Sequence, residues 1–326
     1  MQMPRNLERV KNWAPLPALL LILLAMGIGG IFTDYFVKAS YLFSIFRNYM
    51  PAIFAALGLS VVIIGGGIDL SVGTLASLVN CVIVYLYLGM GMNPSLAVLV
   101  GIATGIGFGA LNGVLISVFR LNSLITTFAM SWVTGGLALW ILPEPSKYRM
   151  AAEFSKFYKG SPLFLPTPFV MLIIALGVWY CVMRSSTGPQ IYAMGSDLKR
   201  AFITGINVTK ARIVSYMYSG FMASLAGIAI LGSMGGGFAS VGDSYTLIGI
   251  AACVIGGISL SGGSGTAMGG VIGGIFMAFL TSLVLAMNVD PYYQSLLTNA
   301  VILLSILVPS LVRSLQHNRT PQIASN

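Results

Sequence analysis

Hydrophobic and polar positions along this chain sort into long blocks. Ten apolar runs fall at about residues 14–32, 43–64, 72–90, 95–118, 122–142, 167–183, 213–232, 245–261, 266–288 and 294–312. Short polar stretches separate most of them, and each run is close to the ~20 residues that a helix needs to cross a hydrocarbon core. The pattern predicts an all-α polytopic membrane protein of about ten transmembrane helices (eight to ten), forming one transmembrane domain over 1–326. The first run is too long for a signal-peptide core and lacks a small-residue cleavage site, so it reads as an uncleaved first span.

Composition narrows the class further. Of 326 residues, 57% are hydrophobic and 8% are charged, against about 25% charged in an ordinary soluble domain. A soluble enzyme, a disordered chain and a nucleic-acid binder are thereby excluded. The net charge of +9 belongs to the connecting loops. With both termini in the cytoplasm, eleven Lys and Arg lie inside. Six lie outside: Lys38, Arg47, Lys147, Arg149, Lys156 and Lys159. That bias is the expected one. It puts the tails 1–13 and 313–326 and the loop 184–212 in the cytoplasm, and the loop 143–166 outside. Cys81, Cys181 and Cys253 lie in apolar stretches, and the one histidine, His317, is in the tail. This inventory builds neither a metal site nor a nucleophile–base pair.

Glycine is abundant, at 39 residues. Gly101, Gly105, Gly109 and Gly113 form a ladder at helical spacing. Gly265, Gly269 and Gly273 form another, with Gly270 and Gly274 beside it. Such ladders let a second helix approach closely. Two further glycine-rich stretches resemble each other. Gly66-Gly67-Ile68-Asp69-Leu70-Ser71-Val72-Gly73 matches Gly256-Gly257-Ile258-Ser259-Leu260-Ser261-Gly262-Gly263 at six of eight positions, 190 residues apart. Two related halves with glycine-broken helices at corresponding positions are a common transporter plan. Asp69 is the one acidic residue inside the apolar pattern. It is either a structural cap for a helix starting near Leu70 or a contact on a solute pathway.

These motifs resemble those of the ribose/xylose/galactose-type permease subunits of bacterial ABC sugar importers, within the branched-chain-amino-acid/sugar permease superfamily. Gly66–Gly73 is similar to the family signature. Three further blocks follow in the family's order. The first runs from Leu111-Asn112-Gly113 to Ser123–Thr127. The second is Gly188-Pro-Gln-Ile-Tyr-Ala-Met-Gly195 with Ala201 and Gly205–Val208. The third is Ile250–Gly263. The chain departs from the family at Thr246-Leu247-Ile248, where members commonly carry Glu-Leu-Asp, and at Gly195-Ser196-Asp197 in place of Gly-Gly-Asn.

The resemblance implies a multi-pass subunit of the bacterial inner membrane. It would pass a sugar delivered by a solute-binding protein, beside a second permease copy or a sister permease. Without a Gly-x-x-x-x-Gly-Lys-Ser/Thr loop the chain has no P-loop for ATP, so the resemblance places ATP and Mg²⁺ on separate ATPase subunits. The ATPase contact would be the loop 184–212, with Tyr192, Gly195, Asp197, Lys199, Arg200 and Gly205. Asp197–Thr204 reads as a short helix capped by Ser196 or Asp197 and stopped at Gly205. Polar and aromatic residues suited to a sugar path are Asp69, Ser71, Asn112, Thr127, Ser131 and Trp132. Ser123, Thr127 and Ser131 share one face at four-residue spacing. Trp132 reads also, and more simply, as helix packing. The cargo alternatives are a polyol, a nucleoside or an autoinducer-2-like molecule. An ion-coupled carrier using Asp69 is the reading of a different class.

Overall fold

The computed structural model describes residues 15–144, 152–160 and 165–287, and in the C-terminal segment 290, 293–294, 296–297, 299–300, 303 and 307. The predicted tails 1–13 and 313–326 and most of the tenth run lie outside the described residues. Among the described residues twelve α-helices follow one another: α1 (Leu16–Phe32), α2 (Ala39–Ile64), α3 (Val72–Val84), α4 (Pro94–Ser117), α5 (Ser123–Ile141), α6 (Ala152–Lys159), α7 (Thr167–Arg184), α8 (Thr187–Ser196), α9 (Leu198–Ile203), α10 (Val208–Met234), α11 (Asp243–Ile255) and α12 (Ala267–Ala286). A π-helical turn, Tyr85–Gly89, extends α3. Among the described residues seven helices are long and apolar enough to cross a membrane: α2, α3 with its extension, α4, α5, α7, α10 and α12. The apolar α1 and α11 are shorter, at 17 and 13 residues. The run 245–261 is thus partly helix and partly turn.

Polar side chains set several boundaries. Asn93, Asn122 and Asn207 each accept a backbone N–H of the following turn, at 2.9–3.0 Å, to open α4, α5 and α10. Thr266 does the same for α12. These bonds satisfy amides that a helix start leaves free.

Helices α2 and α10 form the centre. From Met50 to Ile64 every residue of α2 is buried, and α10 is buried along most of its length beyond Ser215. A helix apolar on all sides belongs inside a bundle. By contrast α1, α4, α5 and α7 bury a narrow stripe and expose Leu, Ile, Val and Phe elsewhere, as a lipid-facing helix does.

The first ladder lies along two helices. Gly101 faces Ile83 and Val79 of α3, and Gly105, Gly109 and Gly113 face Gly220, Tyr216 and Ile213 of α10. The rising series on α4 meets a falling series on α10, so the two are antiparallel, and no Cβ fits between them. The second ladder is corrected: Gly265 precedes α12, in a left-handed conformation (φ +107°). Gly269 and Gly273 approach α11 at Gly256 and Ala252, while Gly270 and Gly274 approach α2 at Ala56 and Ile53.

These contacts fix the relative directions. Helix α2 ends at the same end of the bundle as the α11–α12 turn, and segment 65–71 runs back inward, so that α3 begins beside the start of α11, where Gly73 meets Gly242 and Thr246. The amide of Gly263 donates to the carbonyl of Ile64 across the two turns, at 2.8 Å. Helices α8 and α9 lie at this end, and α6 lies at the other, where the Tyr158 hydroxyl donates to the Arg47 carbonyl.

The repeat is shifted by one residue from the best sequence match. Helix α2 closes with Gly66 N–H to the Ile63 carbonyl and Gly67 N–H to the Val62 carbonyl; α11 closes with Gly257 to Val254 and Ile258 to Cys253. Gly66 (φ +76°) and Gly257 (φ +83°) hold the left-handed position, where glycine carries no Cβ penalty. The structural offset is therefore 191, and Gly67 pairs with Ile258, not with Gly257.

Candidate functional site

A buried polar node, a groove and a backbone junction use the residues singled out from the sequence. The first site is a buried node around the irregular segment 65–71. Asp69 is 1% exposed. Its Oδ1 accepts from the Ser71 amide at 3.0 Å and the Ser71 hydroxyl at 2.6 Å, and its Oδ2 accepts from the Ser219 hydroxyl of α10 at 2.7 Å. Asn112 of α4 donates to Ser71 Oγ at 2.9 Å. Thr127 of α5 accepts the Leu70 amide at 3.0 Å. The Gly73 amide donates to Thr246 of α11, at 3.0 Å. Free backbone at this depth needs partners inside the protein, and four helices supply them. Asp69 stands two residues ahead of the Ser71 N-cap position, since α3 starts at Val72 rather than near Leu70. It therefore closes a local turn instead of capping α3 itself.

The second site is a groove of about 470 Å³ between α3, α5 and α11. It is lined by Leu70, Thr74, Ser131, Trp132, Asp243 and Thr246, among others. Trp132 is 72% exposed and stands edge-on to Phe128, with centroids 6.2 Å apart. Ser131 donates to the Phe128 carbonyl at 2.6 Å, which leaves its oxygen free to accept. The six pathway candidates thus divide: Asp69, Ser71, Asn112 and Thr127 belong to the buried node, and Ser131 and Trp132 to the groove.

Asp243 was missed. It stands in the first turn of α11, two residues ahead of the apolar run 245–261 and on the wall of the groove. The available signal was its position, three residues ahead of Thr246 and seven ahead of the third motif block, Ile250–Gly263.

The junction joins the repeat motifs to the α8–α9 segment. A Cβ on Gly195 would strike the Ile64 carbonyl and lie 2.6 Å from the Gly263 amide. One on Gly262 would lie 2.7 Å from the Gly195 carbonyl and 2.9 Å from the Gly66 Cα. Three segments far apart in sequence therefore touch backbone to backbone. Tyr192 adds a bond from its hydroxyl to the Gly265 carbonyl, 2.9 Å. Burial raises its pKa above the ordinary phenol value, so it stays a neutral donor.

Within 184–212 the short helix is α9, Leu198–Ile203. Asp197 caps it by accepting the Arg200 amide at 3.0 Å, and Gly205 (φ +79°) follows it. Ser196 instead ends α8, donating to the Tyr192 carbonyl. Lys199 and Arg200 are exposed, and Arg200 pairs with Asp197 at 3.0 Å. An exposed pair of this kind contributes little stability.

A bundle of long apolar helices around a buried polar node, with helix α8 locked to its turns, defines a multi-pass membrane protein. The chain belongs to the family described as branched-chain amino acid transport system / permease component, whose match covers residues 41–306. It is 33% identical over 296 residues to the ribose import permease protein of Escherichia coli strain K12, covering 89% of this chain and 92% of that one. It is 30% identical over 295 residues to the D-allose transport system permease protein of the same strain, covering 90% of each. Against the fructose import permease protein of Rhizobium meliloti it is 30% identical over 311 residues, 92% of this chain and 86% of that one. No solved structure matches the chain significantly.

Proposed function

We propose that the chain is the permease subunit of an ATP-driven importer, spanning the inner membrane and moving a sugar received from a solute-binding protein. The observation that carries this reading is the likeness, over about nine-tenths of the chain, to permeases named for ribose, allose and fructose. In this reading Ser131 and Trp132 line the sugar path, with Thr74, Asp243 and Thr246 opposite. A volume of about 470 Å³ is within the ~300–1,000 Å³ of small-molecule sites. An aromatic ring beside hydroxyls suits the apolar face and hydroxyl edge of a sugar.

In this reading the chain crosses ten times: α1, the seven long helices, α11, and the tenth apolar run of the sequence, about 294–312. Six passes separate the two turns (α3, α4, α5, α7, α10 and α11), so both turns lie on the cytoplasmic face as a parallel repeat. Separate ATPase subunits seat α9 there, and a second permease copy or a sister permease completes the path. Movement of α9 reaches both turns at once through Gly195. Such rigid-body transmission suits an element with two packed arrangements.

The test is uptake of labelled ribose, allose and fructose by cells expressing the chain with its ATPase and binding protein. Trp132→Ala is expected to lower uptake of the accepted sugar by about tenfold, matching the ~0.5–1.5 kcal/mol of an aromatic contact at its upper end. Its amount in the membrane should stay unchanged. Equal uptake by the variant would remove Trp132 from the path. Uptake of none of these sugars by the wild-type assembly would count against the sugar assignment.

A further inference from the structure

Among the described residues Asp243 is the one titratable residue lining the groove. Among the described residues no hydrogen bond or ion pair reaches its carboxylate, whereas Asp69 has three donors and Asp197 has an arginine. It is exposed and stands on the groove wall with Ser240 and Thr246, in a site bordered by Ser131 and Trp132. Among the described residues no Lys, Arg or His lines the cavity. An unpaired acid in a concave, mostly apolar site sets the sign of the local field, because low-dielectric walls strengthen it. Serine and threonine hydroxyls cannot neutralise that charge.

The geometry points to Asp243 as a specificity-determining residue: its carboxylate accepts hydroxyl hydrogens of an uncharged polyol and repels anions, so the path admits free sugars and rejects sugar phosphates and sugar acids. This rests on reading the groove as the path. The consequence for the cargo is chemical. A sugar that enters here is unphosphorylated, so a phosphoryl-transfer reaction that traps it must follow entry rather than precede it. An α-carboxylate would likewise find no cationic partner in the groove.

The test measures the groove's field directly, without the binding protein's own selectivity. Ser131→Cys is made in the assembled transporter together with Cys181→Ala; Cys81 and Cys253 are buried. Its reaction rates with a cationic and an anionic methanethiosulfonate of similar size are compared. With Asp243 present the cationic reagent is expected to react faster, by on the order of tenfold, from one unit charge acting oppositely on the two reagents across several ångströms of partly wet protein. Asp243→Asn should bring the ratio close to that of a free thiol, and Asp243→Glu should retain the preference. A ratio indifferent to Asp243→Asn in a reactive, assembled protein would overturn the charge filter and leave the path standing. A Ser131→Cys thiol inert to both reagents would overturn the path reading of the groove and the filter with it. Chain level and ATPase assembly, checked for each variant, separate these results from misfolding.

Discussion

Gly195→Ala is expected to abolish uptake while leaving the chain in the membrane. The added methyl group has nowhere to go: it would strike the Ile64 carbonyl and crowd the Gly263 amide. Backbone cannot swing aside as a flexible side chain can, so α8 must part from both turns. That separation breaks the proposed path from α9 to the two turns, and uptake should fall at least a hundredfold. ATP hydrolysis by the partner subunits should persist but no longer respond to loaded binding protein. Gly177→Ala is the control, since a Cβ there meets nothing within 4 Å, and it should transport normally. Normal uptake by Gly195→Ala would show that the junction tolerates separation and carries no coupling.

Asp69 should separate two substitutions sharply. Asp69→Leu removes an acceptor used by three donors and leaves the Ser71 amide, the Ser71 hydroxyl and the Ser219 hydroxyl buried without it. An orphaned buried group costs about 1–3 kcal/mol, so the variant should lose most of its folded protein, read as the monodisperse fraction on size-exclusion chromatography in detergent. Asp69→Asn keeps the Oδ1 acceptor and presents an amide that the rotatable Ser219 hydroxyl can accept. It should retain folded protein and most uptake. A folded Asn variant without uptake would move Asp69 from the scaffold to the transport cycle. Full yield and uptake by the Leu variant would mean that the node is dispensable.

The helices were legible in the sequence because lipid demands long apolar runs, and α2, α4, α5, α7 and α10 fall where those runs lie. The short helix after Asp197 was legible for a different reason: an N-cap acid and a terminal glycine are local chemistry. The division of polar residues between node and groove was not legible. Thr127 and Ser131 share a helix face by spacing, yet Thr127 is fully buried against segment 65–71 and Ser131 faces a cavity. Which of them meets protein depends on what packs over each turn of α5, and one chain's periodicity does not encode that. Asp243 escaped notice because it stands just ahead of an apolar run, where an acid resembles an ordinary loop residue. The one-residue shift of the repeat arises because Gly65-Gly66-Gly67 offers three glycines where the second copy has two. Sequence matching aligns the last pair, and helix closure uses the first.

The most direct test of the central claim is the energy source of uptake. The chain, its ATPase and its binding protein are reconstituted in proteoliposomes, with ATP inside and labelled sugar on the binding-protein side. Uptake should continue when ionophores collapse the proton and sodium gradients, and should stop when ATP is omitted or replaced by a non-hydrolysable analogue. Uptake that survives without ATP and fails with the gradients would contradict the account and make the chain an ion-coupled carrier.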